Sequence, residues 1–294
     1  MTASVSDRAR EEAGFVPSHL VLTAPGVEPS RTTLVVHGIL GSAANWRGYV
    51  RGLLDGRWGD GERARATRWV LVDLRGHGDN FQLVGGAPPP HTVAACAADI
   101  RRLEARLGVE FDRVVGHSFG GRVALELGRA PGGVREIVSI DSPPGPAFEG
   151  PAARVELERV LAALGALSPG GAPLPGRAEV ASALRAAGMS EALALWMTTN
   201  VRGTAETGYR WKFDLAVVEA LLDDYFATDL VPVVKELSRS GSVGVRFVVG
   251  GRSDRFDART RAALAELGRV DVLPDAGHWV HVDDPAGLAG FVTG

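Results

Sequence analysis

Six short, near-continuous apolar stretches alternate along the chain with longer stretches that have helical spacing. Strands of this composition are buried on both faces, as in a parallel sheet covered by helices on both sides. The alternation therefore predicts an open, doubly wound α/β sheet, to which residues 19–24 should add an antiparallel edge strand. The six stretches are "TLVVHG" (33–38), "RWVLVDLRG" (68–76), "DRVVGHS" (112–118), "REIVSID" (135–141), "GVRFVVGG" (244–251) and "RVDVLP" (269–274).

One interval, residues 142–243, interrupts this alternation. It begins with the Pro/Gly-rich "SPPGPAFEGP" and continues with predicted helices over 151–166, 177–188, 190–201 and 214–238. Open α/β sheets bind ligands beyond the carboxyl ends of their strands, so an insertion that leaves the sheet there can cover a pocket. We therefore expect a core formed by residues 1–141 and 244–294, and a helical cap formed by residues 142–243.

The hexapeptide "GHSFGG" (116–121) places Ser118 between two glycines in the pattern G-x-S-x-G. A predicted strand precedes it and a helical stretch follows, which is the context of a nucleophile elbow. The glycines allow strand and helix to approach closely, and the hydroxyl lies at a helix N-terminus, where negative charge is favoured. Ser118 is therefore the candidate nucleophile, and the Phe119 N–H is a candidate oxyanion donor. The competing interpretation is a Gly-rich turn with an incidental serine.

Two further segments contain residues that a serine nucleophile requires. In "VVHGILGSAANW" (35–46), Gly38 lets the backbone turn inward, so that the Ile39 N–H can complete an oxyanion hole with Phe119. "DVLPDAGHWVH" (271–281) places His278 on a loop after the last predicted strand, as the candidate general base. His281 lies three residues further on, but no third ligand accompanies this pair, so no metal site is expected.

The residue that orients the histidine has two candidates, and both lie at the carboxyl end of a predicted strand. Asp254 follows "FVVGG", and its loop should lie beside the loop of His278. Asp141 ends the preceding strand in "VSIDSPP". Either carboxylate could hold the imidazole in the required tautomer. Asp73 also ends a strand, but it precedes the serine and is expected to stabilise its own Gly-rich loop.

The overall composition excludes several functional classes. With 32 Lys and Arg against 35 Asp and Glu, the formal net charge is −3, and no basic stripe suggests nucleic acid as a partner. The single cysteine, Cys96, cannot form an internal disulfide. The polar N-terminal residues lack the apolar segment of a signal peptide, and no apolar stretch is long enough for a membrane span. The expected location is therefore the cytoplasm.

Taken together, these motifs resemble those of the α/β-hydrolase fold, from about residue 19 to the end of the chain apart from the cap. The resemblance is carried by "HGILGSAANW", "DLRGHGDN", "GHSFGG", "GGRSD" and "DAGHWVH", in the order and spacing of that superfamily. "IDSPP", "GHWVH" and "YRWKFDL" are similar to a branch of short-chain acyl ester and thioester hydrolases. In the wider superfamily the usual acid stands at the Asp254 position, which we prefer. In the closer branch an aspartate at the Asp141 position is implicated, beside a serine that matches Ser253.

The resemblance implies a serine hydrolase that cleaves a carboxylic ester or thioester of a small-molecule acyl substrate without a cofactor. C–C bond hydrolases, lyases and cofactor-free perhydrolases use the same residues on the same scaffold. A binding protein that has lost turnover is a further alternative, because a fold does not determine a function. Trp196 and Trp211 of the cap are the expected substrate-binding residues, although aromatic residues at helical spacing more often contribute to packing.

Overall fold

A computed structural model describes residues 14–82, 87–130, 132–149 and 151–294. Within these residues, a seven-stranded sheet has the order β1-β3-β2-β4-β5-β8-β9. All neighbouring strands are parallel except β1, which pairs antiparallel with β3 at the edge. The strands are β1 (His19–Leu22), β2 (Arg31–Val36), β3 (Thr67–Val72), β4 (Arg113–His117), β5 (Glu136–Ile140), β8 (Gly244–Gly250) and β9 (Arg269–Leu273). The predicted sheet and its edge strand are confirmed.

Helices cover both faces of the sheet, as the double-sided burial of its strands requires. On one face, Val36 and Val114 belong to a buried cluster that includes Ile100 and Val123 of two helices. On the other face, Val35 and Val115 pack with Trp46, Leu53 and Leu288. The core helices are α1 (Ala43–Leu54), α2 (Gly61–Arg65), α3 (Val93–Leu107), α4 (Phe119–Arg129), α10 (Ala258–Ala265), α11 (Val280–Asp283) and α12 (Pro285–Thr293).

The segment between β5 and β8, called the insertion below, is mainly helical, and its helices form a hydrophobic cluster that Leu40 of the core also joins. This cluster contains Leu164, Leu184, Met197 and Val218, which are fully buried. A two-stranded hairpin, which sequence periodicity does not indicate, lies among the helices. The elements are α5 (Pro151–Leu167), α6 (Arg177–Ala186), α7 (Glu191–Thr198), β6 (Val201–Arg202), β7 (Arg210–Trp211), α8 (Leu215–Ala227) and α9 (Val231–Ser240).

The expectation of one helix over 214–238 is wrong, because this stretch forms α8 and α9. Thr228 has extended backbone angles, and Pro232 lies in the first turn of α9, where its missing N–H leaves no helical hydrogen bond unmade. The break also changes what the chain packs against. Val233, Val234 and Leu237 of α9 join the buried cluster of the core sheet, so this last helix of the insertion lies on the core.

The two glycines of the G-x-S-x-G pattern, Gly116 and Gly120, permit a close contact between β4, α4 and the neighbouring strand. A Cβ atom on Gly116 would lie 2.1 Å from the carbonyl oxygen of Gly120, and one on Gly120 would lie 2.5 Å from that of Val36. Backbone atoms cannot move away as a flexible side chain can. Glycine is therefore required at both positions by packing, independently of any chemistry of the serine between them.

We expect Gly120→Ala to lower the free energy of unfolding by at least about 2 kcal/mol, because the added methyl group overpacks a backbone contact. Gly48→Ala is the matched control, since Gly48 lies in α1 and a Cβ there would meet nothing within 4 Å. It should stabilise the protein by roughly 0.5–1 kcal/mol through better helix propensity. Denaturant unfolding of both variants measures the difference, and equal effects would contradict the packing argument.

Candidate active site

Ser118 lies at the turn between β4 and α4 with φ 52° and ψ −121°. A non-glycine residue at positive φ is strained, and such residues concentrate at functional sites. The surrounding backbone holds this conformation, since the Ser118 N–H donates to the carbonyl of Ile140 over 2.9 Å. The hydroxyl therefore stands at the carboxyl edge of the sheet and at the N-terminus of α4, as the sequence predicts for an elbow.

Asp141 is the carboxylate that contacts His278. Its Oδ2 accepts from the His278 Nδ1 over 2.6 Å and from the Ser253 hydroxyl over 2.6 Å. Its Oδ1 accepts from the Gly250 N–H over 3.0 Å. The residue is 1% exposed and has φ 45°, which turns its side chain under the loops that follow β8 and β9. Asp141 therefore holds His278 with Nδ1 protonated, which leaves Nε2 free to accept a proton.

The preference for Asp254 as the partner of His278 is not supported by this geometry. Within the described residues, the Asp254 side chain is exposed and makes no hydrogen bond to the imidazole. In the turn after β8, the inward position is occupied by Ser253, which is 7% exposed and binds Asp141. Asp254, the next residue, consequently faces the outside of the turn. The alternative candidate, Asp141, occupies the place that Asp254 was expected to fill.

Two more histidines surround His278, and neither is placed as a second base. The His117 Nε2–H donates to the carbonyl of His278 over 2.8 Å, which fixes the backbone of the loop. His281 stacks on Trp46 with the ring centroids 4.2 Å apart. Burial holds the pKa of His117 well below its ordinary value, and it lowers the pKa of His281 to about 3. Both rings are therefore neutral supports of the site.

The loop after β2 lies directly beside Ser118. A Cβ atom on Gly38 would be 3.2 Å from the Cβ of Ser118, closer than ordinary van der Waals contact, so the loop and the elbow are in direct contact. Leu40 follows with φ 61°, a second strained residue near the serine. Within the described residues, neither the Ile39 N–H nor the Phe119 N–H donates to a protein acceptor. Both N–H groups are therefore available to an oxygen atom near Ser118.

His37 and His77 connect this loop to the loop after β3 by reciprocal hydrogen bonds. The His77 Nε2 accepts from the Leu40 N–H over 3.1 Å, and the His37 Nε2 accepts from the Leu74 N–H over 3.0 Å. Each Nδ1–H donates to a carbonyl of its own loop, that of Arg75 or Gly38. Both rings are buried, and burial lowers the pKa of His77 to about 3 and that of His37 to about 4. The neutral pair braces the strained Leu40.

A repeated dipeptide in the sequence indicates this brace. The dipeptide His-Gly occurs twice, directly after β2 in "VVHG" and within the loop that follows β3 in "LRGHG". Two such dipeptides at the same edge of a parallel sheet bring their imidazoles together, and here the ring centroids are 5.2 Å apart. Their role as supports of the loop requires the backbone geometry, which the dipeptides alone do not define.

Ser118 and His278 open into a cavity of about 280 Å³, called the serine cavity below. The core contributes Ile39, Leu40 and Trp279 to its wall, and the insertion contributes Leu157, Val160, Leu193 and Trp196. Trp196 also contacts Trp279 with the ring centroids 4.4 Å apart. The insertion therefore supplies much of the apolar wall opposite the serine.

The expectation that Trp211 binds substrate is not supported by its position. Trp211 is 6% exposed, stacks on Phe213 and belongs to the hydrophobic cluster of the insertion. Because β7 turns its ring into that cluster, it does not line the serine cavity.

In the described part of the chain, no three His, Cys, Asp or Glu residues are grouped as metal ligands would be, and no helix is long and apolar enough to cross a membrane.

Comparisons with known proteins agree with this architecture. The model of the alpha/beta hydrolase family matches residues 33–291. The sn-1-specific diacylglycerol lipase ABHD11 of Mus musculus is 26% identical over 267 residues, which cover 88% of this chain and 78% of that protein. A marine microorganism esterase has a TM-score of 0.73 at 21% identity, covering 94% of this chain and 97% of its own. E-2-(Acetamidomethylene)succinate hydrolase has a TM-score of 0.68 at 22% identity, covering 95% and 98%.

These similarities confirm the fold that the sequence motifs predict. The names of the lipase and the esterase agree with the expectation of a hydrolase that acts on ester bonds. Since the family model extends over nearly the whole core and the insertion, the chain belongs to the alpha/beta hydrolase family.

Proposed function

We propose that the protein is a serine hydrolase that cleaves a carboxylic ester or thioester through an acyl-enzyme intermediate on Ser118. The observation that carries this proposal is the hydrogen bond between the buried Asp141 and His278, beside a strained serine in the same cavity wall. A merely structural turn would need neither an oriented imidazole nor a cavity over the hydroxyl. The lipase and esterase relatives support the same reaction class.

In the proposed reaction, His278 Nε2 removes the proton of Ser118 while the serine oxygen attacks the carbonyl carbon of the substrate. Asp141 keeps the proton of the imidazole on Nδ1 and stabilises the imidazolium ion that forms. The Phe119 and Ile39 N–H groups bind the oxyanion of the tetrahedral intermediate. The leaving group departs with the proton from His278. A water molecule then attacks the acyl-enzyme while His278 takes its proton, and His278 returns that proton to the Ser118 oxygen as the acid product leaves.

The insertion is the proposed lid of this site. It supplies Leu157, Val160, Leu193 and Trp196 to the serine cavity, so its position defines the apolar space next to the nucleophile. A cavity of about 280 Å³ is slightly smaller than ligand pockets usually are, which favours a short acyl group. Displacement of the insertion would open the cavity and admit substrate, as lids do in other enzymes.

Ser118→Ala should lower kcat on p-nitrophenyl butyrate by about 10³-fold or more, because it removes the nucleophile. Thermal unfolding should change little, since the hydroxyl contributes little packing. A fluorophosphonate probe should label the wild-type protein and not the variant. If the variant retained more than about a tenth of the rate, the serine mechanism would be excluded.

Asp141→Asn and Asp254→Asn form a matched pair that tests the assignment of the acid. The amide introduced by Asp141→Asn would stabilise the wrong tautomer of His278, so kcat should fall by about 10³–10⁴-fold. Asp254→Asn should reduce kcat on the same aryl ester by less than about tenfold, because its exposed carboxylate does not contact the imidazole. A larger loss at Asp254 would show that the catalytic conformation differs from the one described.

Trp196→Ala and Trp211→Ala distinguish a tryptophan that lines the serine cavity from one that only packs inside the insertion. Trp196→Ala should enlarge the serine cavity and shift the preferred acyl chain of p-nitrophenyl esters toward longer chains, with little loss on the acetyl ester. Trp211→Ala should instead lower the free energy of unfolding by about 3–5 kcal/mol and leave the chain-length preference unchanged. A shift of preference in the Trp211 variant would refute this division.

A further inference from the structure

A second and larger cavity adjoins the serine cavity. This outer cleft has a volume of about 570 Å³ and lies between the start of the insertion and the segment from β8 to α10. Its walls include Phe148 from the start of the insertion and Thr260 from α10. Glu156, Asp254 and Arg255 line both the outer cleft and the serine cavity. The two spaces therefore meet at these three charged side chains, called the junction below, and a substrate bound to Ser118 can extend through it.

The two cavities differ in chemistry. Leu157, Val160, Leu193 and Trp196 make the serine cavity largely apolar, which suits an acyl chain. The outer cleft has the junction at one end and Asp257 and Arg259 further along its wall. The acyl group and the leaving group of an ester extend in different directions from the carbonyl carbon. An apolar space beside a charged space can therefore bind one of them each. The acyl group is suited to the first space and a polar leaving group to the second.

The charges of the junction favour some leaving groups over others. Glu156 and Asp254 contribute two carboxylates and Arg255 one guanidinium, and within the described residues none of them has an ion-pair partner within 4.0 Å. Asp257 and Arg259 compensate each other in charge, and the buried Glu149 is paired with Arg122 over 2.9 Å. The cleft therefore has a small excess of negative charge. A phosphorylated leaving group would be repelled, whereas hydroxyl groups can donate to the carboxylates and accept from the guanidinium.

We propose that the outer cleft binds the leaving group of the substrate and selects uncharged, polyhydroxylated alcohols over phosphate-bearing carriers. The proposal rests on the proposed function, because it requires acyl transfer from a leaving group to Ser118. It gives Asp254 a function at the substrate, in place of the contact with His278 that its position in the sequence predicts. Glu156 and Arg255 are the other proposed specificity-determining residues.

The first test compares leaving groups at a constant butyryl group. Butyryl-N-acetylcysteamine and butyryl-CoA have the same thioester, but only the latter has phosphates. At low ionic strength, kcat/KM should be at least about tenfold higher for the uncharged thioester, and the ratio should shrink with added salt as the repulsion is screened. Monobutyrin should likewise exceed ethyl butyrate by about tenfold in kcat/KM, because its two hydroxyl groups gain partners in the cleft. Preference for butyryl-CoA, or equal rates within either pair, would overturn the proposal.

The second test changes the junction. The double variant Glu156→Gln, Asp254→Asn should raise kcat/KM for butyryl-CoA by about three- to tenfold, and Arg255→Gln should lower it by a similar factor. Asp223→Asn is the matched control, since Asp223 lies on α8, is 77% exposed and lines neither cavity. It changes the net charge of the protein without changing the junction. An equal effect of the control would assign the repulsion to the whole protein and overturn the role of the cleft.

The orientation of the substrate is tested with charge on the acyl side. The junction variants should leave the ratio of rates on methyl hydrogen glutarate and methyl butyrate unchanged, and a change would place the acyl group in the outer cleft. Hydrolysis of p-nitrophenyl butyrate separates the two proposals. If Ser118-dependent hydrolysis of this ester is absent, the proposed function fails. If it is present while butyryl-CoA is preferred, only the assignment of the cleft fails.

Discussion

The buried carboxylate of Asp141 organises the carboxyl edge of the sheet. An ionised carboxylate without partners would be too unfavourable in the protein interior, and Asp141 avoids this by accepting three hydrogen bonds. The donors are the backbone N–H of Gly250 at the end of β8, the Ser253 hydroxyl in the loop that follows, and the imidazole of the loop after β9. One residue at the end of β5 thus joins three loops. Removal of any donor would leave a buried charge incompletely paired, so the position of His278 is coupled to the folding of the whole edge.

The other side of Ser118 is stabilised without any charge. His37 and His77 each accept a hydrogen bond at Nε2 from a backbone N–H of the other's loop. Each ring also donates from Nδ1 to a carbonyl of its own loop. Only the neutral imidazole can do this, because the protonated ring has no acceptor. Burial lowers the pKa of both rings and so favours the neutral form that these hydrogen bonds require. The brace uses the N–H of Leu40 and leaves that of Ile39 without a protein acceptor, which is the condition for an oxyanion donor.

The sequence predicted those features of the structure that depend on residues close to one another in the chain. Apolar strands and the Gly-x-Ser-x-Gly turn depend on residues that are neighbours in sequence, so the sheet, the elbow and the placement of Ser118 and His278 on their loops followed from the sequence. The partner of His278 depends instead on the positive φ of Asp141 and on which residue of the turn, Ser253 or Asp254, faces inward. Strands of two residues, such as β6 and β7, are too short to produce a periodic pattern.

The buried cation of Arg122 connects the insertion to the helix that begins after the nucleophile. Arg122 lies one turn into α4, the helix that begins after Ser118, and its side chain is fully buried. It donates to the carbonyl of Pro143 and pairs with Glu149 at the start of the insertion. At the end of α8 it donates to the carbonyls of Tyr225 and Thr228, and its guanidinium lies 3.7 Å from the centroid of the Tyr225 ring.

A guanidinium is suited to this position because its five donors lie in one plane and can bind several acceptors at once. Both ends of the insertion's main body are thereby bound to the helix whose N-terminus holds the serine. Movement of the middle of the insertion does not require these bonds to break. The insertion is held to the core at other points as well, since the Asp214 N–H donates to the carbonyl of Gly76 over 2.8 Å and Asp224 accepts from the Val93 N–H over 2.8 Å. The movement proposed for the lid would have to break these bonds, whereas the bonds of Arg122 could keep the ends of the insertion and the elbow in place.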